Sequence, residues 1–490
     1  MPQTSVATTP PDPLKLHPED LPDIQGLIVH GYNMPKSRHF VLTIGQVAAA
    51  LEFLDALTSG SGALSITSAA RWPAGAKPKY ALNVGLTATG LQALKLPASL
   101  SINQGNFGSF LNGAVAAAKT VGDTGDSDPA NWITKLNTAN ASLAHMVLSL
   151  YTNTAEDRDA FSVQLRAMFA AVLPATGAPG SDVLEWDVDP IVDVDPNTGE
   201  IYRKIHFGYT DGVSNPLIDA VDLPPLRRNQ LPYVPAWQFV TRDGAMTTYN
   251  LPSPWQFGQN GTFSAFRILE QNVPAFEAFL SAEGRDERAQ ELLASKLCGR
   301  WRNGNPIVLK PDAPGTVLPD DQLQDFDYGT DTIGEPCPFS AHTRRANSRG
   351  GPLVVTVGDN VNHRIMRRAD AYGPRYNGTG TDDGRPRGLA GHFMGVMLST
   401  QFEFVMSQWV NSATFAGNRD TGIDPLLGNV PDGSTFTYWE SGAPVVVEGL
   451  SRFVTTKGGL YCFIPSITAI RWMAQNGGAV NAWSVPLVRK

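Results

Sequence analysis

The sequence predicts an α+β chain made of two halves of similar type with antiparallel strands. Two observations carry this. Short stretches such as Lys79–Thr87 alternate apolar and polar residues like strands, whereas Gly45–Leu57 and Glu156–Val172 space apolar residues as helices do. The order is strand, helix, strands, helix, strands, and it repeats after the Pro-rich run Asp222–Trp237. That order differs from the regular strand–helix alternation of a doubly wound sheet.

Taken along the chain, residues 1–20 are Pro-, Thr- and Asp-rich and read as an arm. The first half, 21–225, opens with a strand at His39–Ile44 and the helix Gly45–Leu57. The strand Lys79–Thr87 comes next. Asn103–Asp128, rich in Gly, Ala and Ser, reads as a loop with one short helix. Leu143–Thr152 is strand-like, Glu156–Val172 is an amphipathic helix, and two strand runs flank the turn DPNTGE. The second half, 226–490, has a strand at Thr262–Val273 and a single helix with a polar middle at Pro274–Leu297. An irregular stretch follows from Asn303 to Pro352. A buried strand at Gly391–Leu398, a helix at Gln401–Asn411 and a strand at Gly459–Pro465 complete it, and Ser466 caps a last helix.

The 490 residues carry 38 Lys+Arg and 46 Asp+Glu, so the net charge is 38 − 46 = −8. This argues against non-specific binding to nucleic acid or an anionic membrane surface. No apolar run approaches the ~20 residues of a membrane helix. The N-terminus has no basic and apolar signal pattern, so the expected location is cytoplasmic, or released without a visible signal peptide. Three cysteines without a CxxC pair exclude a disulfide framework and a zinc ribbon.

Three segments hold residues fit for chemistry. In FGYTDGVSNP (Phe207–Pro216) two glycines bracket one acid, Asp211. Glycines allow a tight path that presents a single carboxylate, although an Asp in such a turn commonly bonds only its own backbone. In CPFSAHTRRANSR (Cys337–Arg349), His342 is followed by Arg344, Arg345 and Arg349. Imidazole is a common metal ligand, and Arg suits carboxylates or phosphates. No HExxH, HxH or Cys/His cluster supplies further ligands. A haem needs none, because its macrocycle leaves only an axial position to the protein. The plainer reading is a structural His in a basic loop. In NHRIMRRADAYGPRY (Asn362–Tyr376), His363 joins Arg364, Arg367, Arg368, Arg375 and two tyrosines. This is either a solvated basic strand or a site with a buried Arg beside a reaction centre.

GYTDG, CPFSAHTRR and RIMRRADAYGP, in that order, resemble the signature segments of the dye-decolorising peroxidases. DIQGLIVHGYNMPKSRHFVL, NGTFSAFRILEQNVPAFEAFL, CGRWRNGNPI, QFEFVMSQWVN, DPLLG and FVTTKGGLYCFIPSI resemble further parts of that family. The likeness runs from about Asp23 to about Arg471 and is greatest to the long branch found in fungi and some bacteria.

The resemblance implies two ferredoxin-like halves with haem b between them. It implies a haem peroxidase that reduces hydrogen peroxide and oxidises dyes, phenols and other aromatic donors in one-electron steps through a ferryl intermediate. His342 would be the proximal iron ligand; His206 and His363 stand beside the distal motifs instead. Asp211 would be the distal acid–base, and Arg367 the distal Arg, with Arg368 the alternative after a one-residue slip. Arg344 would hold a haem propionate, and Asp424 of DPLLG would orient His342. Tyr372 and Trp409 are candidates to relay electrons from bulky donors, although a Trp on an amphipathic helix is commonly a core anchor. The sequence departs from the family at Ser348, at Ala369, where some relatives carry Asn, and at Asp370-Ala371, where an apolar-Pro pair is usual. Two other functions fit a haem site: a protein that releases iron from haem, and a non-catalytic haem-binding redox module.

Overall fold

The computed structural model describes residues 15–73, 75–98, 100, 104–194, 199, 201–221, 233–241, 257–349, 360–378, 380–415 and 421–484. Its strands are β1 (Lys36–Leu42), β2 (Tyr80–Leu86), β3 (Met146–Thr152), β4 (Leu184–Val188), β5 (Ile191–Val194) and β6 (Ile201–Lys204). After them come β7 (Thr262–Gln271), β8 (Met366–Tyr372), β9 (Gly388–Gly395), β10 (Ser434–Glu440), β11 (Ala443–Leu450) and β12 (Val454–Ile464). Eight of them make one sheet in the order β4-β1-β3-β2-β12-β7-β9-β8. Each half of that sheet has its fourth, first, third and second strands side by side, all antiparallel. This is the ferredoxin-like order, used twice, and it is the α+β architecture expected. The repeat is one of topology and has no counterpart in the sequence.

The halves join at β2 and β12 through the single pair Leu86–Phe463. The far edges return to each other where Trp186 of β4 meets Tyr372 of β8 edge-on, with ring centroids 5.0 Å apart. The sheet therefore curls so that its halves face one another. His39 of β1 lies 5.2 Å from Phe266 of β7 and 5.8 Å from His392 of β9. A buried polar chain crosses this apolar seam. The His39 Nδ1–Ser149 Oγ, Ser149 Oγ–His392 Nε2 and His392 Nδ1–Ser264 Oγ separations are all 2.9 Å. Burial pushes His39 down to about 4 and His392 well below the usual imidazole range, so both rings are neutral near pH 7.

Helices cover the N-terminal half. Val47–Ser59 and Ala155–Phe169 close over β1, with Phe169 5.8 Å from Phe40 and 6.4 Å from Phe53. Thr154 starts the second of these by accepting the Asp157 N–H at 3.1 Å. On the other half, Arg267 of β7 makes a bidentate pair with Asp123 at 2.6 Å and 2.6 Å, both fully buried. All three cysteines are buried and free.

Several elements differ from the sequence reading. The single helix expected over 274–297 is two, Val273–Ser281 and Glu287–Cys298. Gly284 adopts φ +68°, and Asp286 caps the second helix by accepting the Ala289 N–H at 2.8 Å. The segment 401–411 is a short α-turn, Phe402–Phe404, running into a π-helix, Val405–Val410. The hairpin β10–β11 was not anticipated; its two-residue turn, Ser441-Gly442, has φ +52° and +78°, the signature of a type I′ turn. The last residues of the expected arm are docked: Leu16 is buried and its main chain pairs with Asp219 and Val221. Residues 1–14 and most of the Pro-rich run, 222–232, lie outside the described residues. No helix among the described residues is long and apolar enough to cross a membrane.

Candidate active site

One cavity of about 490 Å³ gathers the three segments singled out in the sequence, within the ~300–1,000 Å³ usual for cofactor and small-molecule sites. It is lined mainly by the C-terminal half, with Leu27–Met34, Tyr151 and the loop 205–215 contributed from the other.

His342 opens the helix His342–Ala346 and lines the cavity. Its Nδ1 lies 2.7 Å from Asp424 Oδ2. Asp424 is fully buried, and its other oxygen accepts the N–H groups of Leu426 and Leu427 at 2.9 Å and 3.0 Å. The DPLLG turn needs its glycine, because a Cβ at Gly428 would stand 2.5 Å from the Asp424 carbonyl oxygen. A carboxylate can only accept, so it fixes the tautomer with the proton on Nδ1 and leaves the Nε2 lone pair for a metal. Nε2 has no hydrogen-bond partner among the described residues.

Asp211 sits on a loop whose bracketing glycines, Gly208 and Gly212, have φ +88° and +77°. Its Oδ1 accepts the Gly212 N–H at 2.7 Å, so the turn-forming role open to an Asp here is present as well. The loop is held from three sides. Asp211 N–H donates to the Arg203 carbonyl at 2.9 Å. Thr210 N–H and Lys204 Nζ donate to the Arg302 carbonyl at 3.1 Å and 2.7 Å, and Asn215 Oδ1 accepts the Arg367 main-chain N–H at 3.0 Å. The last contact pins the Asp211 loop to β8 and brings Asp211 and Arg367 into one cavity. Desolvation raises the Asp211 carboxyl above its ordinary value, while Arg367, the Gly212 N–H and Arg203 pull it back.

The guanidinium groups of Arg367 and Arg364 line the cavity with no hydrogen-bond or ion-pair partner among the described residues. Burial, then the Arg367 charge, pushes Arg364 down to about 10. Arg368 also lines the cavity, but its guanidinium is engaged by the carbonyls of Leu27 and Val29 at 3.0 Å and 3.2 Å.

Other residues singled out in the sequence, Arg344, Tyr372, Trp409, His206 and His363, lie outside the cavity lining. Arg344 does not reach the cavity. It is buried on Asp331, at 2.8 Å to the carboxylate and 2.7 Å to the carbonyl, between the rings of Tyr328 and Phe339. A buried carboxylate nearby is a stronger partner than anything at the end of a longer reach, so Arg344 stays on Asp331, and Arg364 and Arg367 are the lining arginines whose guanidinium groups have no partner among the described residues. Tyr372 and Trp409 are 4% and 7% exposed, so neither is a surface residue. Trp409 packs among Phe404, Phe415 and His363 as a core anchor. Tyr372 touches Trp186, which is partly exposed and which the sequence did not single out. His206 and His363 are bonded to the carbonyls of Tyr372 and Thr400, away from the cavity.

No family model matches the chain. Peroxidase 2 of Mycetinis scorodonius is 29% identical, covering 92% of this chain and 87% of that protein. Multifunctional dye peroxidase DyP2 of an Amycolatopsis species is 30% identical over 54% of this chain and 60% of its own length. Among solved structures, a fungal DyP-type peroxidase from Auricularia auricula-judae superposes with a TM-score of 0.75 at 25% identity, over 93% of this chain and 99% of that one. A dye-decolorizing peroxidase in complex with 2,6-dimethoxyphenol gives 0.74 at 26%, over the same shares of the two chains.

Proposed function

The chain belongs to the dye-decolorising peroxidase family of haem enzymes, and from that premise we propose that its cavity holds haem b on His342, with Asp211 and Arg367 as the groups that act on peroxide. The observation that carries the assignment is one cavity shared by a carboxylate-held imidazole, a second carboxylate and two guanidinium groups without a partner among the described residues. The residues fit the group: His342 offers Nε2, Asp424 holds the ring, and Arg364 is the cation suited to a propionate.

A haem held on His342 would supply the iron site for peroxide and the redox equivalents for its reduction. Asp211, as a carboxylate, accepts the proton of one peroxide oxygen and returns it to the other, which leaves as water. Its short side chain stays a base in acid, where an ordinary imidazole is already protonated. Arg367, a fixed cation at the cavity wall, stabilises the negative charge that develops as the bond breaks. Asn215 and Arg203 keep the two in register. Small phenols enter the cavity, and bulkier aromatic donors are oxidised at the surface. The enzyme test is direct: purified protein loaded with haem should show a haem absorption band that changes on adding peroxide and returns on adding a phenol. A band that ignores peroxide would leave haem binding without this chemistry.

For bulky dyes, the route outward is Tyr372 to Trp186. The rings touch, Tyr372 lies five residues beyond Arg367 on β8, and Trp186 is partly exposed. Replacing both with Phe is expected to cut oxidation of an anthraquinone dye several-fold, leaving a small phenol and the peroxide reaction as they were. Trp409→Phe, in contrast, should act through stability and lower both donors together. Equal losses for dye and phenol in the Tyr372/Trp186 variant would refute the route.

A further inference from the structure

Asp370 places a second carboxylate in the cavity wall beside Asp211. Asp370 lies on β8, opposite Ala390 of β9. Its Oδ1 accepts Arg203 Nη1 at 3.1 Å, and Arg203 Nη2 donates to Asn33 Oδ1 at 3.1 Å. The same Arg203 accepts the Asp211 N–H with its carbonyl at 2.9 Å. Arg203 therefore links the two acids, its backbone holding Asp211 and its side chain holding Asp370. All three line the cavity.

We propose that Asp370 is a positioning residue of this site, and that its charge, set against Asp211, fixes the alkaline edge of peroxide turnover. The proposal rests on the function assigned above. The groups facing Asp370 are Asp211 and Arg203 from the N-terminal side, Arg368 on its own strand, and Tyr151 of β3. Burial first, and the Asp211 charge second, push the Asp370 carboxyl up to about 6, against the pull of Arg203 and Arg368. Two carboxyls whose charges act on one another lose their protons as a pair, in separate steps. Arg367 favours the ionised form of Asp211, and Asp370, pushed up to about 6, keeps its proton into mildly acid solution.

The consequence has one sign. Below about pH 6 Asp370 is neutral, and Asp211 works beside cations alone. Above it, a second negative charge raises the proton affinity of Asp211, which then returns its proton less readily. The same charge opposes the negative charge that builds up as the O–O bond breaks. Turnover falls as Asp370 ionises.

The test uses the haem-loaded enzyme and two readouts. In a pH-difference infrared titration, the parent should lose a neutral-carboxyl band with a midpoint near 6, and D370N should lack that step. In the rate of reaction with peroxide, the alkaline limb of D370N should move up by about one pH unit or more, the scale on which a neighbouring like charge acts. R203Q removes the cation that favours ionised Asp370, so both midpoints should rise. A parent without the infrared step, or a D370N limb that matches the parent's, overturns the proposal. If D370N fails to fold, an unmoved limb in R203Q overturns it instead. A parent that turns over no peroxide would sink the assigned function, and the infrared step would still decide whether Asp370 titrates as proposed.

Discussion

Asp211→Asn should slow the reaction with peroxide by roughly two to four orders of magnitude, the usual worth of a positioned general acid–base. The amide keeps the shape: its carbonyl oxygen can accept the Gly212 N–H as the carboxylate does at 2.7 Å. What it cannot do is carry a proton from one oxygen to the other. The pH profile adds a second signature. In the parent, the rate falls toward acid as the carboxylate, raised by burial and lowered by Arg367, takes up a proton. The variant has no such group, so its slow residual rate should lose that acid limb. Stopped-flow spectra after mixing with peroxide report both. A variant as fast as the parent would assign the chemistry to Arg367 alone.

His342→Ala should weaken haem retention by about two orders of magnitude or more, since even losing the partner of a metal-bound His costs ~10–100-fold. The scaffold should survive it. His342 opens a five-residue helix at the cavity wall, and Asp424 keeps its bonds to the Leu426 and Leu427 N–H groups. Asp424→Asn is the graded control. It keeps Nε2 but weakens the hold on Nδ1, so its loss should fall within that ~10–100-fold range. Transfer of haem to a competing acceptor protein measures all three. Unchanged retention and an unchanged spectrum in His342→Ala would remove His342 from the iron.

What could be read from the sequence, and what could not, follows from the range of each signal. Asp211 was legible because its glycines record a backbone path that only glycine takes easily, and both have positive φ. His342 was legible as a lone His in a basic loop with no other ligands in sight. Asp424 came only through family likeness: a contact across 82 residues leaves no local pattern. Arg344 misled for the same reason. Which anion an arginine meets depends on whether a buried acid lies closer, and Asp331 is thirteen residues upstream. Arg203 and Asp370 are 167 residues apart, and Trp186 and Tyr372 sit on strands of different halves. These pairs exist only once the sheet has curled. Two misses were local and avoidable. Gly284 with Asp286 marks the end of one helix and the cap of the next, and Ser441-Gly442 between two β-rich runs marks a hairpin.

The His39–Ser149–His392–Ser264 chain across the seam sets a limit on the chemistry it has no part in. An imidazole whose pKa is lower in the folded protein than in the unfolded chain gives stability that is full above about pH 6.5 and drains away as pH falls through the folded value. For His39 that lower value is about 4, a gap worth roughly 3 kcal/mol by the time it is fully protonated. A protonated His39 also puts a cation beside the His392 ring, centroid 5.8 Å away, where the halves meet. A base that works in acid is thus housed in a scaffold that acid loosens at its central joint. Beside the acid limb that Asp211 gives the rate, the architecture adds an acid limit of its own, and a hardier version would be sought at the seam as well as in the cavity.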